Sequence, residues 1–465
     1  AALPLTADIL RVQHMAPARI LIAGAGPAGL TLASALHRRG CAVAVYERQR
    51  RRPDRGLGLW GRSQVVLREL GLANLLDDCH RIPAAAYRSR DGAWLSRSSD
   101  TPANRVAVAT LRESALLASL EASLPQGTVR RGASLAAVRE EEDGVAVQLE
   151  DGHVERGTVL VGADGVGSAV RRFAFGEPAG AAIDTAQVSV SGILSPTAIA
   201  NLSDSGGRTD THADSLAHAF ETLSAGRRFA VVPLADGGAF WFATLGAGGG
   251  IGGADASGIE GADAGRSVAA LRAAYGGWHE PIPRLLHAVA CEVAETAMAA
   301  GGGATEDGAA GGAPPLRCER LRVAPRTAQW WAGRAVLVGD AAHGLPINLA
   351  QGAACAIEGA FTLSAALADA LRGVRADAPL ETAAAAAAFA RYQAEHEARV
   401  RQCRVVTAFT ELLAAPASPP TEALRNAMRL VPRPLNGWIF DTALELSLGD
   451  RPARTRAMWP LATAC

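Results

Sequence analysis

The sequence contains no lysine: all 46 of its Lys+Arg residues are arginines. A lysine amine is needed for Schiff-base catalysis, for covalent attachment of pyridoxal phosphate and for phosphate binding in P-loop enzymes, so these classes of function are excluded. The 46 arginines are balanced by 46 Asp+Glu residues, and the formal net charge is zero. This balance indicates neither a nucleic-acid-binding surface nor a surface for anionic membranes.

The seven cysteines lie far apart, with no C-x-x-C pair and no histidines at metal-ligand spacing. Such a dispersed, odd number is typical of reduced thiols in a reducing compartment, and it argues against a disulfide framework and a zinc site. The sequence also lacks an uncharged apolar run of roughly 18 residues and an N-terminal secretory segment. We therefore expect no transmembrane segment, and we predict a location in the cytoplasm or the mitochondrial matrix and not secretion.

The apolar pattern of the chain begins as a β-α-β unit, with strand, helix and strand predicted over residues 20–23, 28–39 and 42–46. Strand and helix patterns alternate again over residues 106–175, and a further apolar strand is predicted at residues 335–338. This alternation is typical of an α/β fold with a parallel sheet.

A different pattern interrupts the α/β parts, because the next strands follow one another without long helices, at residues 188–194, 228–233 and 239–244. They predict a second, largely antiparallel sheet. After the strand at residues 335–338, long helices are predicted over residues 352–371 and 380–413.

The first motif follows the first predicted strand and is Gly24-Ala25-Gly26-Pro27-Ala28-Gly29. Gly24 permits a tight turn, Gly26 allows a pyrophosphate to approach the backbone, and Gly29 allows close packing of helix on strand. Glu47 ends the second strand, where a carboxylate accepts hydrogen bonds from ribose hydroxyls and disfavours a 2′-phosphate. The motif therefore predicts binding of FAD or NAD at a helix N-terminus.

Two later motifs also follow apolar strands. One is Gly162-Ala163-Asp164-Gly165, which on its own is equally typical of an Asp-Gly turn that caps a helix. The other brings Gly339-Asp340 to a strand end and is followed by Pro346 and Gln351-Gly352. Ligands of open α/β sheets bind at that edge, and an ionised Asp340 suits the hydroxyls of a ribityl chain.

In this order and at these separations, the three motifs resemble those of the FAD-dependent aromatic hydroxylases, which have the para-hydroxybenzoate hydroxylase fold. The resemblance extends over about residues 19–401 and includes features of the salicylate hydroxylase, urate hydroxylase and zeaxanthin epoxidase group. Tyr275-Gly276-Gly277-Trp278 is similar to an aromatic-x-x-Trp helix of that group, and Arg228-Phe229, Pro233 and Trp241 match its substrate-domain strands.

The resemblance implies a set of residues that bind the cofactor. Arg112 is implied to lie against the cofactor, Asp164 to contact both FAD and NAD(P)H, and Asp340 to contact the ribityl chain. The full set is Gly24, Gly26, Pro27, Ala28, Gly29, Glu47, Arg48, Arg112, Asp164, Gly165, Gly339, Asp340, Pro346, Gln351 and Gly352. The rest of the arginine-rich run at residues 48–55 is interpreted as a solvated loop, and Cys355 as a small buried core residue.

The implied fold is α/β: a Rossmann-type FAD-binding domain interrupted by a β-sheet substrate domain, with a C-terminal helical segment. We predict that the FAD-binding domain comprises residues 16–180 and 318–402. The substrate domain, with Gly/Ala-rich insertions, is predicted over residues 181–317 and the helical segment over residues 403–465.

The implied function is that of a monooxygenase with non-covalently bound FAD. NADH or NADPH binds transiently and reduces the flavin, O2 adds at flavin C4a, and the hydroperoxide hydroxylates or epoxidises a small aromatic or polyene substrate. No catalytic side chain, metal or nucleic-acid partner is predicted. Two assembly states stay open, a homodimer and docking into a larger complex.

Two departures from the family pattern motivate an alternative. The family's Gly-Gln-Gly-x-Asn reads Ala350-Gln351-Gly352-Ala353-Ala354 here, and its Glu-Asp-Ala reads Glu358-Gly359-Ala360. The second change removes a carboxylate and costs about 1 kcal/mol of helix propensity, so restoring Asp is expected to stabilise the helix. The alternative is an FAD-bound, catalytically idle subunit of a larger assembly, for which a mitochondrial location stays open. A plain NAD-dependent dehydrogenase is disfavoured because it needs no Gly339-Asp340 motif.

Overall fold

The computed structural model describes residues 19–51, 53–82, 85–97, 108–177, 180–204, 218–224, 226–246, 263–299, 316–347, 350–372, 380–415, 418–432 and 434–439. Most of the two Gly/Ala-rich insertions predicted at residues 246–265 and 299–315 lies outside these residues, as does the end of the predicted C-terminal segment.

The strands in chain order are β1 (Arg19–Ala23), β2 (Ala42–Glu47), β3 (Gly56–Leu59), β4 (His80–Arg81), β5 (Ala85–Ser89), β6 (Trp94–Arg97), β7 (Ala109–Arg112), β8 (Val129–Arg131), β9 (Leu135–Glu141), β10 (Gly144–Leu149), β11 (Val154–Gly157), β12 (Val159–Gly162), β13 (Ile183–Leu194), β14 (Ala219–Ser224), β15 (Arg227–Pro233), β16 (Ala239–Gly246), β17 (Arg317–Val323), β18 (Trp331–Ala332) and β19 (Ala335–Leu337). The helices are α1 (Pro27–Arg38), α2 (Gly61–Glu69), α3 (Ala73–Asp77), α4 (Glu113–Ala122), α5 (Ala169–Phe175), α6 (Pro196–Asp204), α7 (Ala264–Tyr275), α8 (Ile282–Ala299), α9 (Asp340–His343), α10 (Gly352–Arg372), α11 (Thr382–Ala414) and α12 (Pro419–Leu430).

The first large sheet has the strand order β18-β19-β12-β1-β2-β8. All neighbouring pairs in it are parallel except β18 and β19. Its central strands are apolar and buried, as parallel strands covered by helices must be. The predicted Rossmann-type α/β architecture is therefore confirmed, and the carboxyl ends of β1, β2, β12 and β19 meet along one edge.

The second large sheet has the order β17-β13-β16-β15-β14-β5-β6 and is antiparallel except where β14 pairs with β5. Its three predicted strands are present as β13, β15 and β16. However, β5, β6 and most of β17 come from outside residues 181–317, the range predicted for the substrate domain. Strand pairing joins segments that are far apart in sequence. Domain boundaries drawn at single positions of the chain therefore leave these strands out of the substrate domain.

The helix that carries Tyr275 is packed on this second sheet. Tyr275 ends α7 and is fully buried, and its hydroxyl donates hydrogen bonds to the carbonyl oxygens of Thr244 (2.6 Å) and Arg228 (3.1 Å). Its ring packs edge-on against Phe229 and Trp278. The side chain of Tyr275, the aromatic residue of the aromatic-x-x-Trp pattern, therefore holds α7 against β15 and β16.

Helix α10 lies in the core between α1 and α11. Among the described residues it is the one helix long and apolar enough to cross a membrane. Most of its apolar window is buried inside the protein, which is equally typical of a core helix.

Candidate cofactor and substrate cavity

The glycine loop after β1 presents backbone amides at the start of α1. The helix begins at Pro27 with Gly26 as its N-cap, and the amide of Leu30 makes the first intrahelical bond, to the Gly26 carbonyl (3.0 Å). The amides of Ala28 and Gly29 precede this bond and have no acceptor within the helix. Together with the helix dipole, they favour an anionic group such as a pyrophosphate.

Two glycines of this loop are required by packing. Gly24 has a φ of +102°, and a Cβ placed there would lie 2.3 Å from the Ala163 carbonyl oxygen. A Cβ at Gly29 would lie 1.9 Å from the Gly24 carbonyl oxygen and 3.3 Å from the Ala163 Cβ. The loop is therefore pressed against the turn that follows β12, and larger side chains would displace it.

Glu47 connects the end of β2 to the glycine loop. Its carboxylate is 4% exposed and accepts hydrogen bonds from the backbone amides of Ala25 and Gln49, both at 2.9 Å. Each carboxylate oxygen retains a second lone pair, which suits a ribose hydroxyl. Arg48 is exposed beside it.

Asp164 lies in the turn after β12 and combines two features. Its Oδ2 accepts from the amides of Ala169 (2.7 Å) and Val170 (3.3 Å), so it caps the start of α5 as an Asp-Gly turn would. Its Oδ1 is buried and has no partner within the described part of the chain. Burial raises the pKa of this carboxyl, and a hydrogen bond with Ser168 opposes the shift. The unsatisfied oxygen is a candidate acceptor for a bound hydroxyl or amide.

Asp340 follows β19 and is the first residue of α9. Its side chain is accessible from the cavity, while protein encloses it on other sides. This enclosure raises the pKa of its carboxyl, and the Arg55 guanidinium acts in the opposite direction. Gly339 has a φ of +62°, and a Cβ there would lie 2.9 Å from the Ala28 Cβ, so this glycine keeps α9 close to α1.

One continuous cavity of about 1160 Å³ joins these elements. The predicted site residues that line it are Gly24, Gly26, Pro27, Ala28, Glu47, Arg48, Asp164, Gly165, Asp340, Pro346, Gln351 and Gly352. We call this part the nucleotide half. Gly29 and Gly339 do not line it and pack behind it.

The prediction for Arg112 disagrees with the geometry. Its guanidinium pairs with Asp236 (2.8 Å) and Asp54 (3.5 Å), and it is not among the residues that line the cavity. Arg55 lines the cavity instead and makes two 2.8 Å hydrogen bonds to the buried Glu113. Arg55 therefore differs from the solvated loop predicted for its arginine run. Charge composition alone does not show which arginine of such a run has a buried partner.

The cavity continues to the second sheet, where aromatic side chains replace the glycines. We call this part the aromatic half, defined by Tyr87, Phe220, Phe240, Phe242 and the polar pair Arg228–Glu221. Arg228 and Glu221 form an ion pair, and their side chains are 6% and 12% exposed. These residues come from β5, β14, β15 and β16, so no local pattern could have identified them together.

The departures at Ala354 and Gly359 lie outside the cavity wall, whereas Ala350, which stands at a family glycine, lines the cavity. Ala354 is buried in an apolar cluster with Trp60 and Leu413. At Gly359 a Cβ would lie 2.8 Å from the Nε2 atom of His396 on α11. The missing carboxylate is therefore replaced by a helix–helix contact. The gain in helix propensity expected for Asp at position 359 is therefore opposed by contact with the His396 ring.

The residues present fit an FAD molecule. The α1 amides can hold its pyrophosphate, Glu47 its ribose, and Asp340 its ribityl hydroxyls, while the buried Asp164 Oδ1 still lacks a donor. The start of α10 at Gly352 adds a second positive helix end at the same cavity. Within the described residues no cluster of three or more His, Cys, Asp or Glu side chains could hold a metal ion.

Comparison with known proteins agrees with this geometry. A family profile described as "FAD binding domain" matches residues 17–195 and 307–398. The aurachin C monooxygenase/isomerase of Stigmatella aurantiaca is 30% identical over 389 residues, which is 81% of this chain and 84% of that protein. The 6-hydroxynicotinate 3-monooxygenase of Bordetella bronchiseptica is 28% identical over 74% of this chain and 82% of its own length.

Solved structures show the same fold at low sequence identity. Klebsiella pneumoniae HpxO complexed with FAD and uric acid has a TM-score of 0.68 at 21% identity, over 92% of this chain and 97% of that chain. A salicylate hydroxylase substrate complex has a TM-score of 0.65 at 17% identity, over 94% and 99%.

Proposed function

Because this chain belongs to the FAD-dependent aromatic hydroxylase family and is an FAD-dependent monooxygenase, we propose that NADH or NADPH supplies its electrons and that its substrate is an aromatic ring bound in the aromatic half of the cavity. The observation that supports this most is the continuity of the cavity. Its nucleotide half fits FAD, and its aromatic half lies beside it without a wall between them. When bound, FAD would take a hydride from the nicotinamide and activate O2.

The side chains of the aromatic half favour a planar ring with one polar substituent. Tyr87, Phe240 and Phe242 offer ring faces and edges, which stabilise an aromatic ligand more than a flexible chain. Arg228 and Glu221 neutralise each other, so the pair suits a hydroxyl or oxo group on an uncharged ring. A relative whose name includes 6-hydroxynicotinate acts on a hydroxylated ring, which supports this choice of substrate class. This favours an aromatic over a polyene substrate.

The chain's own residues position the reactants and exclude water. The α1 amides and Glu47 would hold one end of the cofactor, and Asp340 would hold its ribityl hydroxyls. The apolar rings of the aromatic half limit access of water to the reacting carbon, which protects an activated oxygen from loss as peroxide. The electrons and the oxygen chemistry belong to the cofactor.

The idle-subunit alternative has little support. It depended on the departures at Ala354 and Gly359 and on the Gly/Ala-rich insertions as docking surfaces. Both departures lie in helix packing outside the cavity, and most of the insertions lie outside the described residues. The nucleotide half retains its acidic residues Glu47, Asp164 and Asp340. The relatives reported above are named as monooxygenases.

The test uses the FAD-loaded protein and a panel of hydroxylated benzoates, pyridines and quinolones. Without oxygen, we expect NADH or NADPH to bleach the flavin faster in the presence of a correct ring, because ligand binding orders the site. With ¹⁸O2, the product should carry one labelled oxygen. If no ring accelerates bleaching and all oxygen is recovered as hydrogen peroxide, the proposed substrate class is wrong.

A paired variant tests the aromatic half. Replacing both partners, Arg228→Met with Glu221→Leu, removes the polar anchor without leaving a buried charge. We expect a raised KM for the ring with FAD affinity unchanged. Ile183→Ala, at an exposed apolar position on β13, is the matched control and should leave both unchanged.

A further inference from the structure

Two cysteines that are 48 residues apart in the chain meet between α10 and α11. The Sγ atoms of Cys355 and Cys403 are 3.3 Å apart. Cys355 is fully buried and Cys403 is 2% exposed. A disulfide has an S–S distance of about 2.05 Å, so a movement of about 0.6 Å by each sulfur would form one.

Charged and polar groups contact the sulfur of Cys403 directly. Arg399, one helical turn before Cys403, donates a hydrogen bond to the Cys403 Sγ and also pairs with Glu358 (2.9 Å). The hydrogen bond from Cys355 lowers the pKa of Cys403; burial opposes this shift, and Arg399 supports it. The pKa of the Cys355 thiol is raised by its hydrogen bond to Cys403 and by burial. Cys403 is therefore the more acidic thiol of the pair, and Cys355 is the less acidic one.

The other cysteines in the described residues have different neighbours. Cys41 lies near Arg39, the Cys79 thiol donates to the Leu75 carbonyl oxygen (3.2 Å), Cys318 lies beside Ser267, and the exposed Cys291 lies beside His287. Among the described cysteines, the pair between α10 and α11 is thus distinguished by a thiol–thiol contact with an arginine beside it.

The pair lies directly behind the cavity wall. The thiol form of Cys403 contacts the Oε1 atom of Gln351 (2.9 Å), and Gln351 lines the nucleotide half. One side chain therefore separates the sulfurs from the place where a flavin monooxygenase consumes oxygen and, when oxygen activation is not coupled to substrate, releases hydrogen peroxide.

We propose that Cys355 and Cys403 form a peroxide-sensitive pair that closes into a disulfide and joins α10 to α11 behind the cavity. Cys403 loses its proton, and its sulfur attacks one oxygen of hydrogen peroxide. The O–O bond breaks, Cys403 becomes a sulfenic acid, and the departing hydroxide takes up that proton as water. The Cys355 sulfur then attacks the Cys403 sulfur, the S–O bond breaks, and the leaving hydroxide takes the thiol proton as water. Two thiols lose two electrons in total, and one peroxide becomes two waters.

The test is a peptide map of the native FAD-loaded protein after addition of one equivalent of hydrogen peroxide. Free thiols are blocked with N-ethylmaleimide, and the protein is digested with trypsin without reduction. Because the chain has no lysine, trypsin releases Cys355 in the peptide of residues 335–372 and Cys403 in the peptide of residues 402–404. We expect these two peptides to be joined, with the loss of two hydrogens, and to separate after dithiothreitol.

Two variants and one thermal measurement serve as controls. Cys291→Ser removes an exposed thiol and should leave the joined peptides unchanged. Cys355→Ala should abolish them and leave a sulfenic acid on Cys403 that dimedone traps. The oxidised wild-type protein should release its flavin several degrees higher on heating than the reduced protein, and Cys355→Ala should show no such shift.

Two results on the wild-type protein alone would overturn the proposal. One is recovery of Cys355 and Cys403 as maleimide adducts while Cys291 is oxidised. The other is a joined peptide that forms only after the protein has been unfolded in urea. Because peroxide is added, the test does not depend on which substrate the enzyme oxidises.

Discussion

Glu47 holds the glycine loop as well as facing the cavity. Its two hydrogen bonds to backbone amides mean that a change there acts on the loop before it acts on any ligand. The carboxylate that the sequence indicates as a ribose acceptor is therefore also part of the loop's own structure. A residue at this position must therefore satisfy the two loop amides as well as any bound ribose.

We predict that Glu47→Ala weakens FAD binding by about 1–3 kcal/mol, because buried amides and a ribose hydroxyl lose a charged acceptor. Glu47→Gln should lie between Ala and wild type, since its amide oxygen can still accept from Ala25. The measurement is the FAD dissociation constant by flavin fluorescence. An equal constant for all three proteins would remove Glu47 from the site.

Ala350 is a strained residue beside Gln351. Its φ is +50°, where the family pattern has glycine, and such a conformation costs an L-residue about 1–2 kcal/mol. We predict that Ala350→Gly stabilises the protein by about 1 kcal/mol or less, since glycine also loses more backbone entropy on folding. Urea unfolding at constant FAD measures this change.

The matched control is Ala186→Gly. Ala186 also has a positive φ, of 57°, and lies at an irregular point of β13 outside the cavity wall. It should give a similar gain in stability without any change in FAD affinity. If Ala350→Gly destabilises while Ala186→Gly stabilises, the methyl group of Ala350 has a packing role that outweighs its strain.

At the scale of elements, the contact between α10 and α11 depends on Gly359. A methyl group there would meet His396, so we predict that Gly359→Ala destabilises the protein by about 1–3 kcal/mol through overpacking. This outweighs the gain of about 1 kcal/mol in helix propensity. In a His396→Ala background the same change should become neutral or favourable.

A double-mutant cycle by urea unfolding measures this coupling. Gly359→Asp restores the family's carboxylate and serves as the functional control. Because position 359 does not line the cavity, we expect no faster reduction of the flavin by NAD(P)H in that variant. A rise in its reduction rate would show that the carboxylate acts on the site from a distance.

The elements that could be predicted from sequence are those with strong local patterns. The unit β1–α1–β2, the strand β12 and the helices α10 and α11 have long apolar periodicity or a glycine motif, and the structure agrees with them. The strands β5 and β6 were missed, because they are short and become strands only by pairing with the distant β14. The same limit applies to the site: Glu47 and Asp340 follow from motifs, whereas Arg55 depends on its buried partner Glu113.

At the scale of the whole molecule, the cavity lies where two sheets of different kinds meet. The parallel sheet supplies strand ends, loops and a helix N-terminus, which suit a dinucleotide. The second sheet supplies aromatic side chains from separate strands, which suit a ring. The cofactor can therefore be predicted from local motifs, while the substrate depends on the packing of the complete chain.

The whole molecule should also lose stability in mild acid, because two buried histidines stay neutral. His343 and His396 are 1% and 3% exposed, and their rings are 5.4 Å apart. Burial lowers the pKa of His343 to about 3, with Arg404 and Arg399 adding to the shift. Burial also lowers the pKa of His396, and the neighbouring His343, Arg399 and Arg62 add to that shift.

Above the ordinary histidine pKa of about 6.5, both rings are neutral in the folded and unfolded chains and add no pH dependence. Below it the unfolded chain binds protons that the folded protein does not, so the free energy of unfolding falls as the pH falls. The slope should approach 1.4 kcal/mol per pH unit for each histidine, or about 2.7 kcal/mol for the two together. Asp164 and Asp340, whose pKa values are raised by burial, act in the opposite direction from the ordinary Asp pKa of about 3.8 upward, and His80, whose pKa is lowered by burial, acts in the same direction as the buried pair.

Urea unfolding between about pH 7 and about pH 5.5 therefore measures a combined slope, and variants give the share of the buried pair. His396→Asn should reduce the slope by about 1.4 kcal/mol per pH unit, the value for one proton. His153→Gln, at an exposed position, should leave the slope unchanged. Equal stability of the wild-type protein across this range would contradict the buried neutral pair.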